Sequence, residues 1–160
     1  WLTESYKLLP TAPAVYFLGN LARDKGDTQG AIKYYQIAAS SHSKIGQQAA
    51  AELVRLDLPQ RPGNYVATGS QVDANGRLIL VLENRAPLPL TDIQITPVLV
   101  DAAGNVVQRA SPVVIARIVK SGERVAVDSG VGTIPQEQLP AVRFQVDKAR
   151  IVETANSTAP

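Results

Sequence analysis

His42 is the only histidine in this 160-residue chain, and it stands among Ser40, Ser41 and Ser43. A serine nucleophile activated by an imidazole base would have to be assembled there. Such a nucleophile needs a sharp strand-to-helix turn that exposes its hydroxyl, and none surrounds these serines. The run instead separates two amphipathic segments, so His42 reads as an exposed residue of an interhelical turn. Metal chemistry is no better supplied. There is no cysteine, no second histidine and no HExxH, and the acidic residues are scattered singly. Asp24, Asp27 and Asp101 have the positions of helix caps and turns. Asp73-Ala-Asn-Gly76 looks like the opening of a calcium loop, but a hairpin turn accounts for it without ligands. Gly130-Val-Gly132 has no helix behind it to complete a phosphate cradle. Asn156-Ser157-Thr158 fits a glycosylation sequon in a small, polar tail. The expectation is therefore no catalytic residue, no cofactor and no metal ligand within this stretch.

Sixteen basic residues are interspersed with fourteen acidic ones, for a net charge of +2. That is a small excess, not a patch, and it gives little drive toward nucleic acid or anionic lipid. Base stacking and sugar stacking both want exposed aromatic platforms. Beyond residue 58 only Tyr65 and Phe144 remain to provide them. No window approaches the roughly 18 apolar residues that a spanning helix needs. The missing cysteines rule out a disulfide framework and leave both reducing and oxidising compartments open. The protein also lacks methionine and begins within an amphipathic pattern, WLTESYKLLP. It is expected to be part of a longer protein, with any signal peptide outside it.

The elements that must position any functional residue fall into two groups. In the first, Val15, Leu18, Gly19 and Ala22 follow the i, i+3, i+4, i+7 stripe of a helix. Gly26 stops that helix and Asp27 caps the next, whose stripe is Ala31, Tyr35 and Ala38. A third helix is expected from about Ser43 to Leu56, with Ile45, Ala49, Leu53 and Leu56 on one side. Leu58-Pro59 ends it, because the residue before proline resists the helical region.

Val15, Leu18, Gly19, Ala22, Ala31, Tyr35 and Ala38, with Gly26-Asp27 in the turn, resemble one unit of a tetratricopeptide array. Ala22 replaces the usual tyrosine, and Ser43 stands where proline normally closes the unit. The resemblance implies a helical hairpin that binds protein or peptide, with the third helix capping the array and Trp1–Leu9 finishing an upstream helix. It places the candidate partner contacts on the concave face, at Tyr16, Asn20, Arg23 and Asp24.

Pro59-Gln-Arg-Pro-Gly-Asn64 reads as a linker. Strand signals follow at Tyr65–Gln71, Leu78–Asn84, Thr91–Val100, Val106–Arg109, Val113–Val119, Arg124–Val131 and Val142–Val152, with a helical turn over Gln136–Leu139. Asn75-Gly76, Gly104-Asn105 and Ser121-Gly122 supply the turns. Seven short strands at this spacing predict an antiparallel, immunoglobulin-like β-sandwich. Leu80-Val-Leu-Glu-Asn84, Asp101-Ala-Ala-Gly104 and Ser121-Gly-Glu123 resemble the FxLYD family of small bacterial sandwich domains, without its aromatic motif.

The expected organisation is thus α+β in two segments. Residues 1–58 form a helical segment, 59–64 a linker, 65–153 a sandwich and 154–160 a frayed tail. The helix pair, Arg55-Leu-Asp-Leu-Pro59 and Pro62-Gly-Asn-Tyr65 together resemble the C-terminal accessory region of bacterial envelope zinc metallopeptidases that carry tetratricopeptide repeats. That implies a non-catalytic docking region in the periplasm or cell envelope of a bacterium, with a zinc site upstream. The alternative is a stand-alone periplasmic scaffold or lipoprotein without an enzyme domain.

Overall fold

Pro13 lies in the first turn of helix α1 (Ala12–Asp24), where its missing N–H costs little, and Thr11 caps that end. The structure is a computed structural model that describes residues 11–153. The upstream helix end expected at Trp1–Leu9, the tail 154–160 and the sequon at Asn156 lie outside the described residues. Two more helices follow, α2 (Thr28–Ala39) and α3 (Lys44–Asp57). Gly26, at φ +78°, turns the backbone after α1, and the Asp27 carboxylate accepts from the Gly30 N–H at 2.9 Å to start α2. Ser43 does the same for α3 through the Gly46 N–H at 3.1 Å. No helix among the described residues is long and apolar enough to cross a membrane.

The described residues divide into two compact units, one ending at Gln60 and the other beginning at Arg61. In the first, Val15, Ala22, Ala31, Tyr35, Ala38 and Ala49 form one buried cluster. A methyl group at Gly19 would sit 2.6 Å from the Tyr35 ring, so α1 can lie against α2 only because position 19 has no side chain. Gly46 meets a similar limit, since a side chain there would run into the Ser41 carbonyl oxygen. On α3 the fully buried positions are Gly46, Ala49, Val54 and Asp57, whereas Ile45, Leu53 and Leu56 are only half-buried. Leu53 and Leu56 nonetheless pack against the same core cluster that contains Ala49, so the expected stripe meets the core there, with Gly46 and Val54 buried beside it.

The second unit opens with a 3-10 turn at Pro62–Asn64 that buries Pro62, so the far end of the expected linker is structured. Seven strands follow: β1 (Val66–Val72), β2 (Arg77–Asn84), β3 (Leu90–Val100), β4 (Val106–Arg109), β5 (Val113–Ile115), β6 (Arg124–Thr133) and β7 (Val142–Ile151). One antiparallel sheet has the order β1-β2-β6. In the other, β3 is central, with β7 along one edge and β5 and β4 successively along the opposite edge. The protein is thus α+β with two antiparallel sheets. The expected helical turn forms as a 3-10 helix at Gln136–Ala141.

Alternation decides which side of each strand is buried. Leu78, Leu80 and Leu82 of β2 and Ile93 and Ile95 of β3 are fully buried, while the residues between them are partly exposed. Asn84 ends β2 fully buried, and its amide is fully used. It donates to the Leu88 and Val119 carbonyls, each at 2.9 Å, and accepts from the Ala86 N–H at 2.8 Å.

The strand expected over Val113–Val119 stops at Ile115. The Ala116 carbonyl accepts from the Thr91 hydroxyl instead of joining the ladder, and Val119 rejoins through an isolated bridge to Leu90.

Candidate protein-binding surface

Tyr16, Asn20 and Arg23 recur at i, i+4 and i+7 on α1 and so share one face of it. The face is tied inward. The Tyr35 hydroxyl donates to Asn20 Oδ1 at 2.7 Å, and the Tyr16 and Tyr35 rings lie 5.8 Å apart at 46°. Arg23 reaches α3, where its Nη1 is 3.1 Å from Glu52 Oε2; the other Glu52 oxygen is held by Arg55 at 2.8 Å. Arg23 also contacts Asp24 at 3.3 Å. Each ion pair is partly exposed, so each contributes about 0–1 kcal/mol and orients more than it stabilises.

Electrostatics follow from this geometry. Burial pushes the Tyr35 phenol above its ordinary value, with Arg23 opposing and Glu52 reinforcing the shift. The Arg23 guanidinium is held more firmly charged, first by its proximity to Tyr35 and then by Asp24 and Glu52. Tyr35 is thus a neutral donor and Arg23 a fixed cation at neutral pH.

A second stripe on the same helix escaped the sequence reading. Phe17 and Leu21 are 52% and 45% exposed, and with Asp24 they follow an i, i+4, i+7 spacing one position around from the tied face. The Tyr16 ring packs against Phe17 at 6.0 Å and 62°, so the half-buried face supports the exposed one. Of the four residues expected to meet a partner, the structure brings Tyr16, Asn20 and Arg23 into interhelical contacts and leaves Asp24 outward. The sequence carries one trace of it, two large apolar residues four apart and off the Val15, Leu18 and Ala22 stripe, but spacing does not say which neighbouring face stays exposed.

No family model, curated protein or solved structure matches this protein.

The residues singled out for chemistry are engaged in structure. His42 is exposed between α2 and α3. Around it the Ser40 hydroxyl donates to the Ile37 carbonyl at 2.7 Å, and Ser41 donates to Ser43 at 2.9 Å. Gly130-Val131-Gly132 is part of an irregularity in β6, where residues 129–132 oppose Leu78 alone. Two of its amides are already met, Gly130 N–H by Asp128 and Val131 N–H by Ser129, so these two are not free to cradle an anion. Val131 instead lines a mostly apolar cleft of about 160 Å³ with Leu78, Pro97, Leu99, Gln108 and Val142. Among the described residues no group of three or more His, Cys, Asp or Glu side chains gathers around a common point.

Proposed function

We propose that this protein is a non-catalytic interaction region that docks protein partners through its helices. The reading rests on one observation: Phe17 and Leu21 stand exposed on α1 beside a buffer of ordered aromatic and charged side chains. Exposed large hydrophobic groups in register on a rigid helix are what an interface core needs, with Asp24 supplying a polar rim. The close Gly19–Tyr35 seam supports reading α1 and α2 as a tetratricopeptide-type hairpin. The β1-β2-β6 and β7-β3-β5/β4 orders support reading the second unit as an immunoglobulin-like sandwich.

In the wider context we infer the C-terminal accessory part of a bacterial envelope zinc metallopeptidase, positioning substrate or assembly partners. A stand-alone periplasmic repeat scaffold is the second reading. The experiment is to capture the native protein with an antibody raised against this 17.1 kDa polypeptide and map its peptides. A larger species with an HExxH helix upstream supports the accessory region. A product near 17.1 kDa, or a longer one made only of repeats, removes the peptidase and leaves the scaffold.

A further inference from the structure

Asn75-Gly76 at the β1–β2 turn is a place where this backbone can react with itself. Asparagine is thermally labile when the next backbone nitrogen can reach its Cγ, and glycine, lacking a side chain, opposes that approach least. Asn75 is exposed at the turn. The other asparagines of the sheets are less open to this reaction. Asn84 is fully buried with its amide hydrogen-bonded, and Asn105 is followed by the β-branched Val106.

We propose that Asn75 is a deamidation site of this protein and that the turn's own hydrogen bonds set its rate. The Gly76 nitrogen attacks Asn75 Cγ as its proton is taken by solvent base. A new bond forms between that nitrogen and Cγ, the bond from Cγ to the amide nitrogen Nδ2 breaks, and ammonia leaves, giving a five-membered imide. Water then opens the ring. Opening at Cγ gives aspartate at position 75, and opening at the main-chain carbonyl gives isoaspartate, with the backbone running through the former side chain.

In the folded turn the attacking group is occupied. The Gly76 N–H donates to the Asp73 carbonyl at 3.0 Å, and the Gly76 carbonyl accepts from the Ile134 N–H at 3.3 Å. The Asp73 carboxylate holds the rest of the loop, accepting from the Asn75 N–H at 2.8 Å and the Arg77 N–H at 2.9 Å. Attack therefore requires the turn to open, and Asp73 is the latch. The isoaspartate product adds a backbone atom inside a turn whose flanking pair, Val72 and Leu78, is in register. Its formation loosens the adjoining end of the β1–β2 ladder.

The test incubates the 160-residue polypeptide at mildly alkaline pH and follows the tryptic peptide that ends at Arg77. The expected result is a mass gain of one NH-to-O exchange on Asn75, resolved into aspartate and isoaspartate forms. It should accumulate severalfold faster in Asp73→Ala, with circular dichroism confirming that this variant keeps its sheets. Asn75→Gln should abolish the gain at that peptide. If the native protein stays unmodified at Asn75 while the urea-unfolded protein is fully modified, the site assignment fails. Equal rates in the parent and a folded Asp73→Ala variant overturn the latch. Faster exchange of the Gly76 amide hydrogen in that variant supports it, and unchanged exchange counts against it.

Discussion

Gly19 and Asn84 show how single residues decide this fold by what they lack and what they offer. Any side chain at 19 must displace the Tyr35 ring, which is fully buried and hydrogen-bonded to Asn20. Gly19→Leu is expected to lower the stability of the helical unit by about 1–3 kcal/mol through overpacking, read as a shift in the urea midpoint. A neutral result would reject the seam. Asn84→Ala removes the partner of the buried Ala86 N–H and of the half-buried Leu88 carbonyl and leaves the Val119 carbonyl only the Leu90 N–H, so a cost of about 1–3 kcal/mol is expected.

Asp101 and Glu123 add a pH dependence. Asn105 is the main donor holding the Asp101 carboxyl below its ordinary value. For Glu123 the Lys120 backbone N–H comes first and Arg117 second. Since folding favours the charged form, this stabilisation is complete above the ordinary carboxylate value of about 4. It is lost as pH falls through the lowered folded values. Melting curves of Asp101→Asn and Glu123→Gln should fall below the parent near neutrality and converge with it in acid.

At the scale of elements, the helix ends are better specified than the helix middles. Ser43 and Asp27 hold their amides at 3.1 and 2.9 Å, whereas Thr11 reaches the Ala14 N–H only at 3.5 Å. Ser43→Ala and Asp27→Ala are each expected to cost on the order of 1 kcal/mol. Thr11→Ala should cost clearly less, because that separation lies beyond the ordinary N–H···O range of roughly 2.7–3.2 Å. Thermal melts of the three variants rank the caps directly. The strands tell a related story: β4 is exposed along its whole length and is held by its pairing with β3 and an Arg109–Gln145 hydrogen bond to β7, while β2 and β3 carry the buried rows. Truncating a β2 leucine such as Leu80 should therefore cost about 2–5 kcal/mol, against little for Val107→Ala.

For the whole molecule, the proposed binding surface belongs to α1, and stability and binding should separate there. Phe17→Ala with Leu21→Ala removes exposed apolar surface, so the melt should move by no more than about 0.5 kcal/mol per site. Partner capture by the purified protein should fall. Undiminished capture would remove this stripe from the interface. Tyr16→Ala with Arg23→Ala is a different experiment, because both side chains hold helices together and the melt itself should drop.

Periodicity, turn residues and caps were enough to locate α1 to α3, seven strand signals and the 3-10 turn at Gln136, because each of these is a property of local spacing and backbone preference. On α3 the expected positions Ala49, Leu53 and Leu56 do reach the core, whereas the burial of Gly46 was not legible, because its approach to the Ser41 carbonyl exists only when the interhelical turn closes. Nor could spacing alone separate Tyr16, Asn20 and Arg23, drawn inward by Tyr35 and Glu52, from Phe17, Leu21 and Asp24 one position around. Adjacent helical stripes differ in sequence by a single residue, and only the packing of α2 and α3 decides which of the two stripes is left to solvent.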